Sequence, residues 1–304
     1  KKLFGDLKNP PQAPVRPALT PIKWHASNKA KIVSDPENTS TMLNIYLGME
    51  KDEPEITWPA LSKEKLAEVI GELFSGRLND YTVDPKSPIG SGNISLSGSF
   101  FRGYKTTLLS AFVKNNPQEA VNIMIAEFLR AKKFGFTQPE LDRVKKTMLK
   151  DYEELLAEKD KTESASHVAE YIQHFLAKDP IPGIEAEKNF IDNFLKDLTL
   201  EQVNKSIAAF NINAPAFVLL NATEAQKNSI TADGLLTALE KAKNQSVTAY
   251  TEKKISGDLL SEMPVAGSIL KTEENVLKSL EFDNRSIRAY SNKNYYRYSK
   301  LTIP

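Results

Sequence analysis

Cysteine is absent from the 304 residues. Disulfides, cysteine-ligated zinc and thiol nucleophiles are therefore excluded, and the redox compartment is left open. Histidine is nearly as scarce: His25, His167 and His174 are the three imidazoles on hand for acid–base work or metal ligation. An excess of either charge is also missing. Forty Lys+Arg stand against 39 Asp+Glu, a formal net charge of +1, without the basic surplus of an electrostatic nucleic-acid binder. No nucleic-acid partner is expected. No apolar run reaches the roughly 18 residues that cross a bilayer, so no transmembrane segment is expected either. Lys1 to Leu7 has neither the apolar core nor the cleavage site of a secretory signal. It reads as the last turn of an amphipathic helix stopped by Gly5, as though the chain were cut from something larger. What remains, 40% hydrophobic and 26% charged, is an ordinary globular mix of a length for about two domains.

Pro10, Pro11, Pro14, Pro17 and Pro21 make residues 1–21 a helix end followed by an extended linker, because proline removes backbone donors and biases its predecessor away from helix. Beyond it, Leu43, Ile45 and Leu47 alternate with polar neighbours at the period of a half-buried strand. Leu66, Val69, Ile70, Leu73 and Phe74 form one helical stripe. Residues 81–92 read as turns, and 93–101 with 104–113 as a hairpin about Arg102-Gly103. A helical stretch follows. Its signs are a stripe from Val121 to Leu129, a capping box of Thr137 with Glu140, a stripe from Val168 to Leu176, and a second box of Thr199 with Gln202. Ala216–Leu220 reads as a buried strand and residues 231–245 as a lone helix. The pattern predicts an α+β fold: a mainly antiparallel sheet with helices packed on one face. The domain spans 22–225, and 226–304 is a helix plus a connector towards a following domain.

The segment His167-Val168-Ala169-Glu170-Tyr171 comes nearest to a catalytic motif. Inverted zincins place His-x-x-Glu-His on a helix, two histidines holding zinc while the glutamate activates water. Here Tyr171 stands where the second histidine should be, and the apolar stripe to which it belongs points it at the core. His174 lies near the same face, but about 10 Å of helical rise from His167 is a long span for two nitrogens that must each sit about 2 Å from one ion. His25 has no acidic neighbour and reads as a packing residue. Gly90-Ser91-Gly92 lacks the Lys-Ser/Thr of a phosphate loop and reads as a turn. Asp160 and Thr162 are read as caps for the next helix. Lys145, Lys146 and Lys150 share theirs with Glu153, Glu154 and Glu158 as a solvated face. No catalytic, cofactor-binding or metal-ligating residue is assigned.

Several of these segments, in this order, resemble one family. Leu66 to Leu78, ending Ser75-Gly76-Arg77-Leu78, resembles a helix closing on Ser-Arg-Leu in the second domain of pitrilysin/insulinase-type zinc metallopeptidases. Phe134 to Leu141 is similar to the family's Gly-aromatic-Thr-x-x-Glu-Leu entry to a long helix. Lys159 to Ser164 and Pro180 to Glu185 resemble segments of long bacterial, especially Bacteroidetes, members. Leu198 to Asn204 is similar to the Ile-Thr-x-Glu-x-Val-Asn helix before the last strand, and Leu3 to Leu7 to the helix end before the proline-rich crossover.

The resemblance covers about residues 1–245 and implies the metallopeptidase LuxS/MPP-like α+β domain. Full-length members resemble four such domains enclosing a chamber in which peptides are cut. The first carries His-x-x-Glu-His and binds the zinc, and the fourth adds an Arg and a Tyr. This chain resembles the second. The resemblance implies a non-catalytic domain of a zinc endopeptidase that walls the chamber and packs on the catalytic domain of the same parent chain. Its cofactor, zinc, is expected in that catalytic domain and not here, and its substrate is a peptide. The chain alone is expected to be inactive. Asp84 stands where a tyrosine should follow Arg77, so the Arg/Tyr role is not transferred, and a helix-end salt bridge is expected at Arg77. Periplasmic or envelope localisation follows from the bacterial resemblance only. The alternative is a stand-alone inactive homologue serving as a binding or assembly subunit, as in the core subunits of the mitochondrial respiratory complex.

Overall fold

The computed structural model describes residues 8, 11–12, 20–52, 57–101, 103–177 and 180–252. The readings of Lys1 to Leu7, of most of the proline segment and of the chain beyond 252 lie outside these residues. The strands are β1 (Lys29–Ser34), β2 (Thr41–Lys51), β3 (Ile89–Phe101), β4 (Tyr104–Val113) and β5 (Ala216–Ala222). They form one sheet in the order β1-β5-β2-β4-β3. The β1–β5 pairing is parallel and the other pairings antiparallel. The helices are α1 (Trp58–Thr82), α2 (Pro117–Phe134), α3 (Gln138–Ala157), α4 (Ser164–Ala177), α5 (Ile184–Asp197), α6 (Leu200–Ala209) and α7 (Ala232–Lys243). The α+β architecture read from the sequence is the one observed.

Strand periodicity sets the core. Leu43, Ile45 and Leu47 of β2, Val218 and Leu220 of β5, and Leu109, Ala111 and Val113 of β4 are buried at every second position. That face receives Val69, Ile70, Leu73 and Phe74 of α1 and Val121, Met124, Ile125 and Phe128 of α2. Phe74 stacks on Phe128 at 5.6 Å and meets Phe136 edge-on at 5.2 Å, joining both helices to the turn that opens α3. Both predicted capping interactions form. Glu140 Oε2 accepts from Thr137 N at 2.8 Å, and Gln202 Oε1 from Thr199 N at 2.8 Å. Gly183, with φ of +81°, opens α5 in the left-handed region that favours glycine.

The structure differs from the sequence reading in several places. β1 was not foreseen. Its short Lys-Ala-Lys-Ile-Val-Ser run gains its pairing from β5, far along the chain. The turn-rich reading of 81–92 gives way at both ends: α1 continues to Thr82, and β3 begins at Ile89. Gly90 and Gly92 are strand residues. A Cβ at Gly90 would lie 2.4 Å from the Phe112 ring, so a bare backbone is needed where β3 passes that side chain. The helix over 232–243 is not isolated. Leu235, Leu239 and Ala242 are fully buried, and α7 packs on α2 and β1. The turn at 159–161 separates α3 from α4, with Thr162 at its end, two residues before α4 begins.

Arg77 is not at a helix end. It lies inside α1 with 2% of its surface exposed. Its Nε donates to Glu140 Oε1 at 2.6 Å, and its Nη2 donates to Glu140 Oε2 at 3.0 Å and to Gly135 O at 2.9 Å. The guanidinium lies 4.5 Å from the ring centroids of Phe136 and of Tyr250. Glu140 is thus the capping residue of α3 and the counter-ion of α1 at once. Burial pushes its carboxyl up, but the Arg77 guanidinium and the Thr137 donors outweigh burial and hold it below the ordinary carboxylate value.

Glu140→Ala is expected to cost about 3–5 kcal/mol in denaturant unfolding, because it leaves Arg77 buried and unpaired; the double variant Arg77→Met, Glu140→Leu is expected to recover most of that loss. A folded value below the unfolded one stabilises the fold above about pH 4.3, and this contribution is lost as pH falls through the folded value. Acid unfolding of the double variant should be correspondingly less steep. Tyr250 carries a second signature. Burial, with the hydrogen bond of its hydroxyl to Asp80 Oδ2 at 2.8 Å, pushes it up to about 12. Its contribution is complete below about pH 10 and lost as pH rises through that higher value. Tyr250→Phe should remove a phenol that ionises near pH 12 from an ultraviolet pH titration.

Candidate functional site

Among the described residues no helix packs on the second face of the sheet, and its side chains are half-buried or exposed. Strand register arranges them in three rows across β5, β2, β4 and β3. The first is Phe217, Tyr46, Leu108 and Ser95; the second is Leu219, Asn44, Ser110 and Asn93; the third is Asn221, Met42, Phe112 and Ser91. None of these positions carries a charge. An exposed antiparallel face usually alternates to polar and charged residues, so an uncharged one with four large apolar or aromatic positions near its centre is unusual. Lys29 and Lys31 of β1 border it, in register with Phe217 and Leu219.

An aromatic cluster closes one end of this face. Tyr46 lies 4.8 Å from Phe100 and 6.2 Å from Phe217. Trp24, just before β1, lies 6.2 Å from Phe100 and 4.4 Å from His25, and its Nε1 donates to Pro215 O at 2.8 Å. His25 is 6.2 Å from Phe217, and its Nδ1 is 2.6 Å from Ser27 O, which assigns the ring proton to Nδ1. Burial pushes the Tyr46 phenol up. His25 is the packing residue that its sequence context suggested. Its ring neighbours are Trp24 beside it and Phe217 of β5, and no spacing within the chain could have named the second.

A groove of about 310 Å³ runs beside the opposite edge, between α1 and edge strand β3. Glu64, Glu68 and Glu72 line it from one side of α1, facing Asn93 to Leu96. Lys105 pairs with Glu64 at 3.7 Å, and Lys65 with Glu68 at 2.8 Å.

The residues weighed in the sequence fall elsewhere. His167 Nδ1 is 3.9 Å from Glu170 Oε2, and its ring lies parallel to that of Tyr171 at 6.4 Å. Tyr171 is 58% exposed, so the stripe it shares does not point at the core as the periodicity suggested. Helical periodicity identifies an apolar face but not what covers it. Among the described residues no group of three or more His, Asp or Glu is placed to hold a metal ion. The α4 helix, with Tyr171 at the position of a second ligand, does not fit zinc. Lys145 is not a solvated residue: its Nζ donates to Leu198 O at 2.5 Å, at the C-terminal end of α5. Lys150 does form an exposed pair with Glu154. Asp84 Oδ1 accepts from Lys86 N at 2.9 Å in the turn after α1.

Residues 1–148 match the family described as the peptidase M16 inactive domain. The zinc protease PQQL-like protein of Arabidopsis thaliana is 26% identical over 154 residues, which is 49% of this chain and 16% of that protein. Among solved structures, the first half of the periplasmic protease PqqL from Escherichia coli superposes with a TM-score of 0.67 at 17% identity, over 79% of this chain and 52% of that one. The whole of that protease gives 0.68 at 16%, over 89% of this chain and 30% of that one. At these identities the solved structures share the fold. The chain spans about half of the half-length structure, and less of the two full-length proteins.

Proposed function

From a chain that is matched over residues 1–148 by the peptidase M16 inactive domain, and is thereby a non-catalytic domain of pitrilysin/insulinase type, we propose that the whole protein is a zinc endopeptidase and that this part walls its peptide chamber. The observation that carries the reading is the uncharged sheet face with Tyr46, Phe217 and Trp24 at one end. Such a face offers van der Waals contact and ring faces to an unfolded peptide without selecting for charge. A catalytic domain of the same polypeptide would supply the zinc and the base, and this chain would hold neither. β3 is the edge strand of the described sheet beside the acidic groove, a place where an extended segment can lie as a further strand. A periplasmic location is supported by the solved Escherichia coli protease. No described helix is long and apolar enough to cross a membrane.

Tyr46→Ala together with Phe217→Ala in the full-length parent is expected to raise KM for a peptide substrate about tenfold, roughly 1.4 kcal/mol of lost binding, with kcat changed less than about twofold. Unchanged KM, or a loss confined to kcat, would count against a peptide-facing wall. The purified 304-residue chain should take up no stoichiometric zinc, read by metal analysis, and His167→Ala should leave that result unchanged. Full occupancy dependent on His167 or His174 would defeat the assignment.

A further inference from the structure

The α4 helix carries Val168, Tyr171, Ile172, Phe175 and Leu176 along one side, and all five are exposed, Phe175 by 70%. With each aromatic side chain offering about 200 Å² when fully accessible, the stripe presents roughly 500 Å² of apolar surface. That is the size at which a contiguous patch on a soluble protein marks an interaction site. The sequence builds it deliberately: the five positions follow i, i+3, i+4, i+7, i+8, and the breaker residues Pro180, Pro182 and Gly183 end the pattern.

Resting on the reading above, we propose that this stripe is the surface through which the chain docks on an apolar face of the catalytic domain of its own polypeptide. Charge excludes one other occupant. Among its 14 residues α4 holds a single carboxylate, Glu170, and no Lys or Arg. A helix lying on an anionic lipid surface needs a strongly basic polar face. Area disfavours a second. A stable free-standing interface buries about 800 Å² per partner, more than the stripe supplies. A second copy held by α4 alone would dissociate readily, whereas a domain on the same polypeptide meets the stripe at an effective concentration in the millimolar range. Length is consistent with such a partner. The chain accounts for 52% of the half-length Escherichia coli structure and 30% of the full-length one.

Hydrogen exchange of 164–177 tests this by comparing the 304-residue chain with the full-length parent. The α4 amides are expected to exchange at least tenfold more slowly in the parent. Tyr171→Glu with Phe175→Glu in the parent should abolish that protection and expose matching peptides in the catalytic domain. Ser166→Glu, on the opposite side of α4, should do neither. Because all three positions are exposed, the thermal midpoint of the 304-residue chain should not move with any of these substitutions, which separates lost docking from lost folding. Equal exchange in the two proteins overturns the proposal. So does slow exchange in the chain alone, whether it sediments as a monomer that covers the stripe itself or as a dimer. A parent reading frame lacking His-x-x-Glu-His removes the proposed function and this docking with it, and that result is read from the gene independently of any exchange.

Discussion

The packing of this domain depends on a guanidinium that is kept from water. Arg77 sits between two aromatic rings inside α1, so everything around its guanidinium must compensate for its desolvation. Glu140 meets it with both oxygens, and the Gly135 carbonyl takes a further donor. The same carboxylate closes the capping box at the start of α3. One pair therefore sets the distance between α1 and α3, the conformation of the Gly135-Phe136-Thr137 turn, and the path by which Tyr250 crosses back over the helices. An apolar substitute could fill the same volume. It could not demand that particular turn.

The two surfaces that lack charge play different parts. The open face of the sheet is wide, half-buried and closed at one end by rings, a shape that accepts an irregular chain. The α4 stripe is narrow, convex and set on a single helix, a shape suited to insertion between elements of a neighbouring domain. The charged groups nearest them are Lys29 and Lys31 at the border of the sheet face and Glu170 beside His167 on α4. The positions around them are ordinary solvated ones, such as the exposed pair of Lys159 with Glu185 at 2.7 Å. Binding at either face would accordingly depend little on salt.

Much of this was legible in the sequence where the governing physics is local. The caps at Thr137 and Thr199, the hairpin about Gly103 and the opening of α5 at Gly183 all follow from residues within a few positions of one another. The misreadings share one cause. β1 is six residues without a fully buried position that become a strand because β5 is beside them. Arg77 looked like a helix end because its counter-ion lies 63 positions away. The α4 stripe has the periodicity of a buried helix, but periodicity carries no information about whether a partner is present on the chain. Likewise the aromatic cluster gathers Trp24, Tyr46, Phe100 and Phe217 from four places, and only the sheet register brings them together.

The strand order has a bearing on how the protein is made. The last of the described strands, β5, lies between β1 and β2 and pairs with both. As the chain leaves the ribosome, β2, β4 and β3 can pair antiparallel in that order early, but β1 has nothing to pair with until residues 216–222 emerge. Contacts between such distant segments are slow to form. Until then the nascent sheet presents an unfilled edge on β2, next to side chains that will become its core. A ribosome stalled before residue 216 would hold a chain with most of its helices and no finished sheet, a natural client for a holding chaperone.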